Sequence, residues 1–393
     1  MIRHILKIVW NRKRANALIV AEIFLSFLVL FAVLTLASAL IGSLRKPLGF
    51  EWRDVWNISI SGEAAEGASV EAMDMIVREL RAMPQVAAVG ASNTPPYAMS
   101  SFEGTWVIEG KSVFLTQDRV TDGFAGVMQL NVLRGRWFGP EDDAANYTPV
   151  VIDADLAEAV YGDENPVGRR FDEQRQKELR IVGVIAPYRK SGEFANFGKP
   201  INMIFERVSA AKGDKLPDNV LIRVHPGTSA SFEQTLSERL HQVAPQVNFR
   251  IRQMSRMRQL ALRIALLPLI ALGTVATFLI SMVVLGLSGV LWQNVTRRTR
   301  EIGLRRAIGA SAPAVRRQIV AEVATLTTLA VILGVAIVAQ LPLLGLFTLI
   351  TPTAFAGGLA GSLAAIYGLT VLCGLYPGWL ASRVQPAEAL HYE

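Results

Sequence analysis

Cysteine is almost missing from this chain. Its 393 residues include one, Cys373, inside an apolar run, so no disulfide can close within the chain and no cysteine-based metal site can form. Histidine is nearly as scarce: the four present, His4, His225, His241 and His391, are scattered, and no H-E-x-x-H metal motif occurs. A G-x-x-x-x-G-K-[ST] phosphate loop is also absent, because Gly110-Lys111-Ser112 has Thr105 where the first glycine belongs. No G-x-S-x-G nucleophile elbow is found. The adjacent carboxylates Asp142–Asp143 and Asp163–Glu164 lie in polar loops and read as solvated turn residues rather than general acid/base pairs. The expectation is therefore a chain with no catalytic, cofactor or metal site. Charge is sparse too, 19% of residues against 51% hydrophobic, which is apolar for a soluble protein. The net charge of +7 suits nucleic acid or a membrane surface, and the apolar runs decide for the lipid bilayer. No nucleic-acid partner is expected.

A membrane span needs about 20 mostly apolar residues. Four runs qualify: 17–41, 264–292, 321–347 and 354–380. Each should be helical, since lipid leaves no other partner for backbone polar groups. The first competes with a signal peptide, because Arg12-Lys13-Arg14 resembles an n-region and Ala37-Ser38-Ala39 a cleavage site. Signal cores usually run only about 7–15 residues, so a retained helix is the reading.

Basic residues set the orientation. Arg3, Lys7, Arg12, Lys13 and Arg14 precede the first span, and Arg297, Arg298, Arg300, Arg305, Arg306, Arg316 and Arg317 lie between the second and third. The loop from Leu341 to Thr353 has no Lys or Arg. Residues 1–16, the 293–320 loop and the tail 381–393 are thus assigned to the cytoplasm, and 42–263 to the other side. Arg250, Arg252, Arg256, Arg258 and Arg263 crowd the outer end of the second span. They read as a solvated helix face or as a stalk that touches headgroups or a partner.

The outer segment repeats a pattern. Val55–Ile60, Val70–Met83 and Val86–Ala91 read as strand, helix and strand, and so do Val220–Val224, Ser229–Val243 and Val247–Ile251. Two such units, at about 50–101 and 218–255, suggest one α+β lobe interrupted by a second, strand-rich lobe at about 102–217. The fold class is therefore an α-helical membrane protein with four transmembrane helices and a large α+β extracytoplasmic domain between helices 1 and 2. Within the spans, Glu22 either reaches the interface or serves a proton or substrate path. Glu322 is placed at the start of the third helix, where the dipole or Arg316 and Arg317 would favour it. Gly357 and Gly361 form a G-x-x-x-G suited to close helix packing.

The loop Arg298-Thr299-Arg300-Glu301-Ile302-Gly303-Leu304-Arg305-Arg306-Ala307-Ile308-Gly309-Ala310 has the pattern of a short basic helix. By composition it could be a positive-inside anchor and nothing more. Its residue order, however, resembles the signature loop of the MacB/FtsX family of ABC-transporter permeases. The tail from Tyr376-Pro377 to Tyr392-Glu393 resembles that family's closing pattern. Leu133-Arg134-Gly135-Arg136-Trp137-Phe138, the stretch from Leu156 to Gly168, and Leu179–Ile185 are similar to parts of its periplasmic core.

The resemblance implies a permease subunit of a type VII ABC transporter in the bacterial inner membrane, with its large domain in the periplasm. It implies a second permease, identical or paralogous, and an ABC ATPase that carries ATP and Mg. Arg300, Glu301, Gly303, Arg305, Arg306 and Gly309 would contact that ATPase. In MacB an ATPase domain precedes the first span; here about sixteen residues do, so the expectation is a separate ATPase chain. Efflux of peptides, antibiotics or other periplasmic cargo, with a membrane-fusion adaptor and an outer-membrane duct, leads the readings. FtsX-like signalling to a cell-wall hydrolase and lipoprotein release stay open beside it.

Overall fold

The computed structural model describes residues 13–61, 70–172, 178–194, 202–297, 304, 308, 311–345 and 350–382. The chain divides into an outer unit, Ser43–Ala265, and a helical unit made of the segments before and after it. The helices are α1 (Lys13–Leu44), α2 (Val70–Ala82), α3 (Phe124–Met128), α4 (Ala154–Tyr161), α5 (Phe232–Val243), α6 (Met254–Arg297), α7 (Ala312–Val338) and α8 (Pro352–Ser382). The strands are β1 (Val55–Ser61), β2 (Val86–Ser92), β3 (Phe102–Ile108), β4 (Lys111–Val120), β5 (Val132–Gly135), β6 (Thr148–Asp153), β7 (Arg170–Asp172), β8 (Leu179–Ile185), β9 (Met203–Arg207), β10 (Asn219–Val224) and β11 (Asn248–Gln253).

In the helical unit, α1, α6, α7 and α8 are each long and apolar enough to cross a membrane. Their core joins Ile23, Phe27 and Phe31 of α1 to Val283 and Leu287 of α6, Ala330 and Val331 of α7, and Ile366 of α8. Apolar residues also cover the outward faces: Leu285 is 74% exposed and Leu372 67%. A helix apolar on all sides is suited to lipid rather than water. The third span's helix starts at Ala312, preceded by Ser311 in extended geometry with Pro313 in the first turn. Glu322 therefore sits well inside α7, too far from its N-terminus for the dipole to act on it. Gln318 Nε2 donates to Glu322 Oε1 at 3.4 Å. Regular helix ends at Val338 rather than near 347, where Gln340 and Pro342 follow in a turn.

The outer unit is built on one sheet. Among the described residues its order is β11-β1-β10-β2-β4-β9-β6-β8-β5, with β3 on β4 and β7 on β8. Each of the first four strands is antiparallel to its neighbour, and α2 and α5 connect β1 to β2 and β10 to β11. That is the split β-α-β arrangement of ferredoxin-like folds. It follows from the apolar stripes: Met73, Ile76 and Leu80 of α2 and Phe232, Leu236 and Leu240 of α5 close over Ile58, Val220 and Ile222 of the sheet. The inserted strands have a second core, where Leu156 and Val160 of α4 pack on Val150, Ile152, Ile181 and Ile204. The sequence suggested two lobes; the structure joins their strands at the Ser92–Val120 pairing, where the Thr121 N–H donates to Ala91 O and the Asn93 N–H to Arg119 O, each at 3.1 Å. The two cores are separate, but the sheet is continuous.

Candidate functional site

Arg300, Glu301, Gly303, Arg305, Arg306 and Gly309 lie outside the described residues. Two neighbours on the same loop are described. Leu304 and Ile308 are 51% and 79% exposed, and the Ile308 N–H donates to the Leu304 carbonyl at 3.1 Å. Both apolar side chains are open to a partner.

The glycines of α8 face α1. A Cβ on Gly357 would stand 2.6 Å from Ser38 Oγ, and one on Gly361 3.2 Å from Leu34 Cδ1. Between them, Gly358 is tighter: its Cβ would meet Thr35 Oγ1 at 1.9 Å and Thr35 Cα at 2.7 Å. The obstacle there is backbone, so no rotamer change relieves it. Gly358→Leu is expected to lower the melting temperature of the detergent-solubilised protein by several degrees. Gly368→Leu, which has nothing within 4 Å, should leave it unchanged. Equal melting of the two variants would contradict the packing. On α1, the Glu22 carboxylate lies against Gly286 of α6, with Oε2 2.9 Å from where a Cβ would be.

The outer unit holds a polar node that the sequence did not reveal. The chain leaving α1 runs through Ser43 to Phe50, and the loop after β8 turns back towards it at 187–194. Arg189 Nη1 donates to the Ser43 carbonyl at 2.8 Å, its Nη2 donates to Ser43 Oγ, and the Arg189 N–H donates to Leu48 O at 2.9 Å. Ser43 Oγ donates to Glu193 O at 2.6 Å. The Glu193 side chain accepts from Tyr97 OH at 2.9 Å and from Arg258 Nε at 2.6 Å. Arg258 belongs to the first turns of α6, and its guanidinium also lies 4.7 Å from the Trp52 ring centre and 5.3 Å from that of Phe194. Glu193 is only 5% exposed. Gly192 has φ +72°, and a Cβ there would strike the Tyr97 ring at 2.2 Å, so the loop needs glycine at that turn. Burial, then Glu193, raise the Tyr97 hydroxyl pKa, and burial lowers that of Arg189.

One loop thus ties together the exit of the first span and the start of the helix that becomes the second. The stalk arginines, read from sequence as a solvated face or a contact surface, divide by helix side. Arg256 makes an exposed pair with Glu233 at 3.7 Å, whereas Arg258 enters the node.

A second buried carboxylate stands where the two cores meet. Asp118 is 1% exposed and accepts from Ser92 Oγ at 2.6 Å and Thr94 N at 3.1 Å, with Lys190 and Tyr188 nearby. Burial pushes it up to about 7, against the opposing pull of Ser92, Lys190 and Thr94. Asp153, the N-cap of α4, is likewise pushed up to about 7, chiefly by burial. A carboxyl with a folded pKa above its unfolded one binds its proton more tightly in the fold. Its stabilisation is whole below about pH 4 and is lost as pH rises through 7. The outer unit should therefore melt progressively lower between pH 5 and 8, by about 2–4 °C for each kcal/mol lost. Asp118→Asn should flatten that slope in a tryptophan-fluorescence melt; an unchanged slope would refute the assignment.

Asp142 is not the solvated residue expected, whereas Asp143 keeps 34% of its side chain exposed. Asp142 is 2% exposed and takes a bidentate pair from Arg136 at 2.7 and 2.6 Å. Asp143 accepts from Arg207 Nη1 at 2.7 Å and Ser209 Oγ at 2.8 Å. Both carboxylates are consumed in fixing the turn at 136–145.

Four membrane-crossing helices and a mixed α/β unit inserted after the first define a multi-pass membrane protein with a large extracytoplasmic domain. Comparison with known proteins narrows this class. Residues 17–239 match the MacB-like periplasmic core domain, and residues 273–386 match the FtsX-like permease C-terminal domain. The chain belongs to the MacB/FtsX-type family of ABC-transporter permeases.

The macrolide export ATP-binding/permease protein MacB of Bdellovibrio bacteriovorus is 27% identical over 66% of this chain and 41% of its own length. Its namesake in Neisseria gonorrhoeae is 24% identical over 76% of this chain and 46% of its own length. The chain therefore spans less than half the length of these relatives. The periplasmic region of MacB from Actinobacillus actinomycetemcomitans superposes with a TM-score of 0.38 at 16% identity, covering 55% of this chain and 96% of that one.

Proposed function

We propose that this chain is a transmembrane subunit that converts ATP hydrolysis on a partner ATPase into movement of its outer unit, for export of periplasmic cargo. The observation that carries the reading is α6. It is one helix of 44 residues, with Pro268 in its interior, that begins at the end of β11 in the outer unit and continues as the second span. At about 1.5 Å per residue it is roughly 66 Å long, twice the depth of a bilayer core. A helix transmits displacement along its axis, and Arg258 on its first turns is tied to Glu193. The loop at its other end carries Glu301 and the arginines whose order resembles the ATPase-contacting loop of the family. ATP binding would bias a two-state movement of this helix, with no need for cargo to pass between the spans. Two copies, or one copy and a paralogue, would pair around two ATPases in the bacterial inner membrane.

The test is purification of the tagged chain in mild detergent with identification of the chains that accompany it. The expected result is an ATPase bearing a G-x-x-x-x-G-K-[ST] loop. Repeated recovery of the chain with no ATPase would refute the proposal. A periplasmic adaptor in the same preparation supports export, and a peptidoglycan hydrolase or a lipoprotein carrier would replace export with the corresponding alternative.

A further inference from the structure

The sheet face turned away from α2 and α5 carries a polar row. Asn57 and Ser59 stand two apart on β1; Asn57 is opposite Arg252 of β11, and Ser59 is opposite Asn219 of β10. Their hydrogen bonds run inward. Asn57 Nδ2 donates to Ser59 Oγ at 3.1 Å and Asn219 Oδ1 at 3.4 Å, Ser59 Oγ donates to Asn219 Oδ1 at 2.8 Å, and Asn219 Nδ2 donates to Asn93 O at 3.0 Å. One atom is left over. Asn57 is 1% exposed, and its Oδ1 has no hydrogen-bond partner.

These residues line a cleft of about 640 Å³ within the outer unit. Its other wall is apolar, made by Met257, Leu260 and Ile264 of α6 with Met99 beside them, and Arg252 of β11 also lines the cleft. Leu260 is 50% exposed, Ile264 42% and Met99 87%. The volume falls in the range of small-ligand sites. A buried acceptor without a donor and an uncovered apolar wall facing it have the same remedy. Water alone would satisfy Asn57 but leave Leu260, Ile264 and Met99 uncovered. A purely apolar molecule would cover those side chains but leave Asn57 unpaired.

We infer that the cleft binds an amphiphile, its hydroxyl or amide N–H donating to Asn57 Oδ1 and its apolar chain lying along Met257, Leu260 and Ile264. Tyr97 and Phe194 line the cleft and belong to the Glu193 node, so an occupant touches the residues that hold Arg258. The inference stands without the ATPase reading, because it needs only the outer unit.

The experiment uses the full chain in lipid nanodiscs and an N-acylethanolamine with a diazirine in its acyl chain. Adducts are located by peptide mass spectrometry. They should concentrate on Met99 and on residues 257–264. Labelling should exceed at least fivefold that by the methyl ester of the same acyl chain, which lacks donors. Asn57→Leu should abolish the preference for the ethanolamide. Leu260→Gln alters a half-exposed side chain and should cut labelling about fivefold, with the melting of the outer unit unchanged. Adducts confined to α1, α7, α8 and residues 266–297 of α6, or equal labelling by ester and ethanolamide in the unsubstituted chain, would overturn the site. So would a Leu260→Cys variant that crosslinks efficiently to a second copy while the ethanolamide leaves no adduct, since a protein would then fill the cleft.

Discussion

Glu193→Ala is expected to loosen the outer unit and to disconnect it from α6. The substitution leaves the Arg258 guanidinium between Trp52 and Phe194 without its carboxylate, and Tyr97 OH without its acceptor. Removing one partner of a buried pair costs about 3–5 kcal/mol; because the Arg258 side chain is 28% exposed, a loss of about 2–4 kcal/mol is expected here. Lowered melting of the outer unit is the first readout. The second separates a structural role from a transmitting one. In a complex with its ATPase, the variant should hydrolyse ATP at the normal rate while the outer unit no longer responds to nucleotide. Arg258→Lys should be intermediate, since lysine keeps the charge but loses the planar stacking on the two rings. A Glu193→Ala complex whose outer unit responds fully would remove the node from the pathway.

The second large effect belongs to the loop between the second and third spans. Glu301→Arg places one more cation in a run that already holds Arg297, Arg298, Arg300, Arg305 and Arg306. Gly309→Trp puts bulk where the sequence ends its short helix. Each is expected to reduce retention of the ATPase, or its stimulation by the permease, at least tenfold, while the melting of the outer unit stays that of the unsubstituted chain. If the proposal holds, the loop variants lose the ATPase, whereas Glu193→Ala keeps it and loses the response of the outer unit. Unsubstituted ATPase behaviour in both loop variants would return the loop to a topological anchor.

The elements legible in the sequence were those written in local periodicity. The apolar stripe Met73-Ile76-Leu80 announces α2, and the run at Leu179–Ile185 announces β8. Tyr161 followed by Gly162 marks the end of α4, where Gly162 takes φ +61°. Long-range pairing was not legible. The bridge between Ser92 and Val120 joins strands that are not consecutive in the chain, and no periodicity encodes that. Nor was the node. Arg189-Lys190-Ser191-Gly192-Glu193 has the composition of a surface turn, yet Arg189, Lys190 and Glu193 are 7%, 3% and 5% exposed. Their burial depends on partners at Ser43, Ser100 and Arg258. The one available hint was an excess of charge directly after a buried strand. In the sequence Asn57 reads as part of a strand and of an N-x-[ST] pattern; its unpaired oxygen emerges once three strands are in register.

The most direct test of the account is hydrogen exchange of the complete permease–ATPase complex, compared between the nucleotide-free state and a state trapped with a non-hydrolysable ATP analogue. The account predicts that backbone amides at 43–50, 187–194 and the first turns of α6 change their exchange with nucleotide, and that Glu193→Ala abolishes the change at 187–194. Identical exchange of these segments in both nucleotide states would contradict it.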